Sequence, residues 1–186
     1  MTEVEVLELL RRAGAIRHGH FLLSSGRHSD TYVEKARVFE DPAATARLGR
    51  EIASWYERIE AVISPAVGAL PLGFATALAA GARFLYAERE RNRMTLRRGF
   101  SVAPGERVLV VEDVVTTGGS AAEVFELAGA LGAERLGVAA LVDRAAGDLR
   151  FPLRALARVR AEAWEPDVCP PCGHGVALES PGSRHL

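Results

Sequence analysis

Apolar and polar positions along the chain follow two rhythms, and the changes between them mark out the elements. Val4, Leu7 and Leu10 recur at helical spacing between Thr2 and Gly14, and Thr2 with Glu5 makes a capping box, so a first amphipathic helix ending near Gly14 is predicted. Residues 21–38 read as strand, interrupted by a turn at 25–29. Asp41 and Pro42 suit an N-cap and a first-turn proline, opening a second helix that runs to about Arg58. Short apolar runs then alternate with helical patterns: strand 61–64, helix 69–80, strand 83–87, strand 107–111, helix 121–131, strand 135–142 and a last strand around 153–159. Val108, Leu109, Val110 and Val111 lack polar alternation, as expected of a strand covered on both faces. The alternation predicts an α/β fold, a central mostly parallel five-stranded sheet flanked by helices with right-handed crossovers. Residues 1–186 read as one domain, with 60–160 as core and 1–40 plus part of the C-terminal segment as a small hood over the sheet.

Composition narrows the function classes. A chain of 186 residues can bury a sizeable core, and a formal net charge of -1 gives no electrostatic case for a nucleic-acid or membrane partner. No apolar run reaches the length of a membrane span, and the acidic start MTEVEVLELL lacks the basic region of a signal peptide, so a cytoplasmic location is expected. Basic residues are arginines throughout, Lys35 being the only lysine.

Chemistry concentrates in residues 108–120, VLVVEDVVTTGGS. Glu112 and Asp113 stand at the carboxyl end of the predicted strand, the edge where ligands bind in open α/β sheets. Val114 and Val115 lead into Thr116, Thr117, Gly118, Gly119 and Ser120. The glycines permit close backbone approach, the hydroxyls add donors, and the helix from Ala121 turns a positive dipole end toward an anion. A phosphate cradle therefore lies next to two carboxylates. Ionised Asp and Glu only accept hydrogen bonds, so vicinal ribose hydroxyls suit them, with a divalent cation offsetting the remaining charge. The predicted ligand is a ribose phosphate; the plain alternative is a buried strand with a solvated acidic end and a glycine turn. GxxxxGKS/T, strand-linked GxGxxG, HExxH and GxSxG motifs are all absent.

The same string resembles the phosphoribosyl-diphosphate (PRPP) motif of type I phosphoribosyltransferases. Three further segments, GHFLLSSGRHSDTYVEKARV at 19–38, SPAVGALPLG at 64–73 and LVDR at 141–144, make the chain similar to the orotate phosphoribosyltransferase family. That resemblance implies transfer of phosphoribosyl from PRPP to orotate, giving orotidine 5′-monophosphate and pyrophosphate in pyrimidine (UMP) synthesis. It implies Mg²⁺ carried by PRPP and water rather than by protein ligands, a homodimer, and a flexible loop that closes over the neighbouring subunit's site. It assigns Glu112 and Asp113 to the ribose and residues Val114, Val115, Thr116, Thr117, Gly118, Gly119 and Ser120 to the 5′-phosphate. Ala66, Val67 and Gly68 would turn backbone N–H groups to pyrophosphate, and Arg144 with Thr116 would meet orotate, the guanidinium fork matching a carboxylate. Asp113 is the candidate for acid-base assistance. Another base as acceptor, or a non-catalytic PRPP sensor, are the alternatives; a sensor usually adds a DNA-binding segment or a basic face, and neither is visible.

The sequence departs from the family pattern at several positions. Residues 88–98, ERERNRMTLRR, occupy the place of the closing loop and read as too long and polar for a minimal hairpin turn. Arginines stand where the family often has lysines and a histidine; Arg89 and Arg93 are the best catalytic stand-ins, ahead of Arg97 and Arg98, and would stabilise charge rather than donate a proton. The alternative for this segment is a solvated charged hairpin. Ser24 and Gly68 stand where some relatives have lysine. Asp143 beside Arg144 could be an exposed ion partner. Cys169 and Cys172 form CPPC near His174 and His185; reduced thiols are the expectation, with a zinc knuckle using those histidines, a redox couple or a disulfide as alternatives. His18, His20 and His28 are expected in surface or hydrogen-bonded roles.

Overall fold

The amino-terminal part of the chain comprises α1 (Glu3–Arg12), strands β1 (Ile16–Leu22) and β2 (His28–Val33), a short α2 (Ala36–Phe39) and α3 (Pro42–Ala53). The core follows as β3 (Ala61–Pro65), α4 (Leu70–Ala80), β4 (Arg83–Glu90), β5 (Arg93–Leu96), β6 (Arg107–Val115), α5 (Gly119–Ala130), β7 (Glu134–Asp143) and β8 (Leu153–Arg158). The chain closes with β9 (Ala163–Trp164), a 3₁₀ turn (Pro166–Val168) and α6 (Pro170–Gly173). These elements come from a computed structural model that describes residues 1–23 and 25–181.

Local chemistry sets the helix starts. Thr2 and Glu5 cap α1 reciprocally, the Glu5 carboxylate accepting from the Thr2 N–H at 2.7 Å, and the helix buries Val6 and Leu10. The Asp41 carboxylate accepts from the N–H groups of Ala43 and Ala44 at 2.8 and 3.2 Å, with Pro42 in the first turn of α3. That helix stops at Ala53, short of the expected Arg58, where the Ser54 hydroxyl bonds back to the Glu51 carbonyl and the next N–H reaches only three residues back.

The main sheet runs β5-β4-β3-β6-β7-β8, parallel except for the pairing of β4 with β5. Its two faces are read directly from alternate residues. Val62, Leu109, Val111, Ala139 and Leu141 join one apolar core with residues of α1, α3 and α4, while Ala61, Ile63, Val108, Val110, Val138 and Ala140 join another with α5. Both faces are covered, which is why the strands read as unbroken apolar runs. A separate sheet of order β1-β2-β9 is built from the amino-terminal strands and the late segment.

Three expectations need correction. The sheet has six strands, not five: residues 88–96 fold as an antiparallel hairpin joined at Arg91 and Asn92, both at positive φ (46° and 65°), as a two-residue primed turn requires. The charged segment is therefore hairpin, and its charges are tolerated because this edge faces solvent. β6 continues to Val115, its last residues Val114 and Val115 pairing with Val142 and Asp143 of β7, so the acidic pair lies inside the strand. In the amino-terminal region β1 starts at Ile16, β2 ends at Val33, and residues 36–39 are helical rather than extended.

Helices α3 and α4 pass so closely that a Cβ on Gly49 would sit 2.5 Å from the Ala75 carbonyl carbon. Backbone cannot yield as a flexible side chain would. Gly49→Ala is expected to destabilise the fold by about 1–3 kcal/mol, measured as a lowered denaturant midpoint.

Candidate active site

Strands β3 and β6 lie side by side, but the chain leaves β3 toward one edge of the sheet and β6 toward the other. Their carboxyl ends therefore open a crevice at a topological switch point, where ligands settle in sheets of this kind. Residues 66–68 leave β3 on one wall; the acidic pair and the loop beyond Val115 form the other. The peptide between Ala66 and Val67 is cis.

Glu112 and Asp113 are both buried. The Asp113 N–H donates to Glu112 Oε1 at 2.9 Å, and the Val114 N–H donates to Asp113 Oδ1 at 2.6 Å. Lys35 Nζ stands 3.3 Å from Asp113 Oδ2, and Gly68 completes the contact from the opposite wall, where a Cβ would collide with Asp113 Oδ2. Burial, reinforced by the charge of Asp113, pushes the Glu112 carboxyl well above the ordinary glutamate range. Burial works against the Lys35 ammonium, but its pairing with Asp113 outweighs this and holds it above the ordinary lysine range. One acid is thus biased toward its neutral form and the other is balanced by a cation.

Beyond the strand, Thr116 and Thr117 are exposed and Gly118 turns the chain at φ 73° into α5. A side chain at Gly118 would also meet Leu149 and Phe151. The opening N–H groups of α5 have no partner within the helix, so Gly119 and Ser120 present donors and a dipole end to an anion. The helix starts two residues earlier than expected, which brings Gly119 and Ser120 into its first turn.

Arg144 follows β7 on the same edge. Its N–H donates to the Val115 carbonyl at 2.8 Å, and its guanidinium reaches the small sheet, donating to the Thr31 carbonyl at 3.2 Å and lying 3.4 Å from Ser29 Oγ. Burial lowers its pKa and the nearby Asp30 charge partly restores it. Asp143 is not its partner and is not exposed: it is buried and bonded to Arg158 at 2.7 and 3.0 Å.

The arginines of the hairpin stand apart from the acidic pair and are engaged unevenly. Arg89 forms a two-pronged pair with Glu123 of α5 at 2.9 and 3.1 Å, and Arg98 forms another with Glu88. Arg97 lies 3.8 Å from Glu90, while Arg93 is exposed and has no ion pair among the described residues.

Sequence reasoning passed over Lys35, Tyr32 and Asp30. Tyr32 is half-buried, its hydroxyl pKa raised by burial and by Glu34, with the Lys35 and Asp113 charges also acting on it. Asp30 Oδ1 is buried without a hydrogen-bond partner among the described residues. The usable signal was Lys35, the one lysine in a chain that otherwise uses arginine. Of the histidines, His20 and His28 are buried, hydrogen-bonded to one another and set against Cys169 and Cys172, His18 is exposed with Nδ1 3.4 Å from Thr31 Oγ1, and His174 is exposed. Ser24 and His185 lie outside the described residues. A cavity of about 770 Å³ beside β8, lined by Glu3, Asp143, Phe151 and Arg158 among others, does not include the acidic pair.

A mostly parallel sheet with an acidic pair and a glycine-opened anion loop at its switch point defines a phosphoribosyl transferase fold, and the family model for the phosphoribosyl transferase domain matches residues 36–151. Along 100% of both chains the sequence is 47% identical to an orotate phosphoribosyltransferase of Caldanaerobacter subterraneus subsp. tengcongensis. It is 45% identical to one of Thermotoga maritima, across 97% of this chain and 99% of that one. Among solved structures, the orotate phosphoribosyltransferase of Aeropyrum pernix superposes with a TM-score of 0.70 at 31% identity, covering 83% of this chain and 93% of that chain. A UMP synthase of Leishmania donovani gives 0.72 at 25% identity, covering 86% of this chain but 37% of that chain. The chain belongs to the orotate phosphoribosyltransferase family.

Two outcomes follow from the crevice geometry. Gly68→Ala should displace Asp113 from Lys35 and reduce turnover on the order of 10²-fold, with the unfolding midpoint little changed. Because the folded pKa of Glu112 is raised, its stability contribution is full below about 4.5 and is lost as pH rises through the folded value. Glu112→Gln keeps the acceptor for the Asp113 N–H without that loss, so its stability advantage over the parent should grow from pH 4.5 to pH 8 in denaturant titrations.

Proposed function

We propose that this protein transfers the phosphoribosyl group from PRPP to orotate, releasing pyrophosphate and forming orotidine 5′-monophosphate for pyrimidine synthesis. Membership of the orotate phosphoribosyltransferase family supports the reaction, and Arg144 carries the choice of base. Its guanidinium is half-buried beside the crevice, and Asp143, the neighbouring acid, is occupied by Arg158. A planar fork with donors to spare suits the orotate carboxylate, and Thr116 supplies a hydroxyl at the other lip.

In this reading Glu112 and Asp113 accept the ribose hydroxyls, residues 114–120 bind the 5′-phosphate, and residues 66–68 turn N–H groups to pyrophosphate. The anomeric C–O bond to pyrophosphate breaks, a C–N bond to the orotate ring nitrogen forms, and the nitrogen gives up its proton, with Asp113 the group placed to assist. The protein works by orientation and charge, Lys35 pairing with Asp113 within a buried setting. Arg93, unengaged on the exposed hairpin, is free to swing onto the phosphates; Arg89 would first have to leave Glu123.

The donor set fits a Mg²⁺ ion that arrives on the substrate, since Asp113 already faces Lys35 and Glu112 favours its neutral form. When bound, the ion neutralises charge on the leaving pyrophosphate while keeping several waters. A homodimer is part of the proposal: Phe74 and Leu78, exposed one helical turn apart on α4, offer an apolar stripe for a second copy. No helix among the described residues is long and apolar enough to cross a membrane, and the proposed location is cytoplasmic.

Purified protein given PRPP, Mg²⁺ and a panel of bases should consume orotate and no other base; turnover of a different base alone overturns the assignment. Arg144→Ala should raise the KM for orotate about 10–100-fold, the range expected for a charge-assisted hydrogen bond, while the KM for PRPP moves little. Equal losses for both substrates would remove Arg144 from the base site. Arg93→Ala should lower kcat with an unchanged unfolding midpoint, whereas Arg89→Ala should also loosen the hairpin from α5.

A further inference from the structure

Four ligand-type side chains from opposite ends of the sequence meet away from the crevice. His20 lies on β1, His28 on β2, Cys169 stands immediately before α6 and Cys172 within it; one ligating atom from each lies within 4.8 Å of all the others. His20 Nε2 is 3.0 Å from His28 Nδ1, 3.3 Å from Cys169 Sγ and 3.6 Å from Cys172 Sγ, and Cys172 Sγ is 3.2 Å from His28 Nδ1. Ligands on a tetrahedral zinc with bonds of about 2.0–2.3 Å stand about 3.3–3.8 Å apart, so the four atoms already sit near the corners of such a site.

The surroundings fit the same chemistry. His20 Nδ1 lies 2.9 Å from the Val176 carbonyl, which makes Nδ1 the protonated nitrogen and turns the lone pair of Nε2 toward the sulfurs. One lone pair cannot satisfy three neighbouring ligand atoms through hydrogen bonds alone; a shared cation can. The tail, moreover, has few apolar contacts to hold it, though Arg17 pairs with Glu179 at 2.6 Å. Val168, Val176 and Leu178 are exposed, Cys169 is its buried apolar residue, and its backbone meets β1 through Leu22 and His20, which bond to Glu179 at 2.8 Å each. A segment that buries so little apolar surface needs another source of order.

We infer that His20, His28, Cys169 and Cys172 form a structural Zn²⁺ site that clips the C-terminal segment to β1 and β2. Two thiolates with two neutral imidazoles in tetrahedral array select zinc over harder cations, and binding releases the two thiol protons. With all four positions filled by protein, the ion has no open place for substrate. The site uses neither His174 nor the crevice residues, so its assignment does not rest on the reaction proposed above.

Metal analysis of untagged protein tests this without any substrate. About one zinc per chain is expected, and exchange with Co²⁺ should give the intense visible bands of a tetrahedral ion with a thiolate charge-transfer band. Cys169→Ser, Cys172→Ser and His20→Ala should each lose the metal, while His174→Ala keeps it; a chelator should lower the unfolding midpoint of the parent but not of Cys172→Ser. Protein isolated without metal that takes up neither Zn²⁺ nor Co²⁺, a Cys169–Cys172 disulfide shown by a mass short of two hydrogens, or metal retained in His20→Ala overturns the inference. Should the ligand variants fail to fold, the zinc content and cobalt spectrum of the parent decide the question.

Discussion

Two carboxylates side by side at the end of a strand buried on both faces are costly to hold, and the arrangement around the crevice answers that cost. Asp113 is balanced by Lys35, which arrives from the segment after β2, and Gly68, lacking a side chain, lets the loop after β3 close on the same oxygen. Glu112 is handled differently, by shifting toward its neutral form and accepting the next N–H of its own strand. Three distant stretches of chain are thereby fixed in one place. Remove the charge balance and the walls of the crevice are joined only by the pairing of β3 with β6 below it.

The small sheet is attached to the core in a corresponding way. Val33 reaches the main apolar cluster, but much of the remaining hold is polar: Arg144 to the Thr31 carbonyl and Lys35 to Asp113. Such point contacts orient a layer without merging it into the core. β2 concentrates them, carrying His28 at one end and Ser29, Asp30 and Thr31 beside Arg144. The geometry of the base-facing wall therefore depends on a strand that is itself secured at its far end.

Much of this was legible in the order of residues, for identifiable reasons. Strands covered on both faces must be apolar throughout, so β3, β6 and β7 announced themselves, and Thr2, Asp41 and Pro42 marked helix starts through local hydrogen bonding. The β4–β5 hairpin was half-hidden, offered only as the alternative for its segment, because its alternation is among charged and polar residues and its turn rests on positive φ at Arg91 and Asn92, neither a glycine. Pairings across the fold were hidden as well. Nothing near Arg89 in sequence points to Glu123, nothing near Asp143 points to Arg158, and the meeting of His20 with Cys169 spans most of the chain. Within the candidate site, residues 112–120 were found because their chemistry is contiguous, while Lys35, Tyr32 and Asp30 belong to the crevice only through the return of β2 over the sheet.

The solitary lysine has a consequence of another kind. Lys35 is the only side-chain amine in the protein, half-buried against Asp113, and the remaining amine, that of Met1, is paired with Glu51. An amine-selective label or cross-linker thus has a single side-chain address, and that address lies in the crevice. Labels and surface attachments that are harmless on lysine-rich proteins would here report on, or silence, the site itself, whereas the many guanidinium groups of the exterior leave the surface almost inert to the same chemistry.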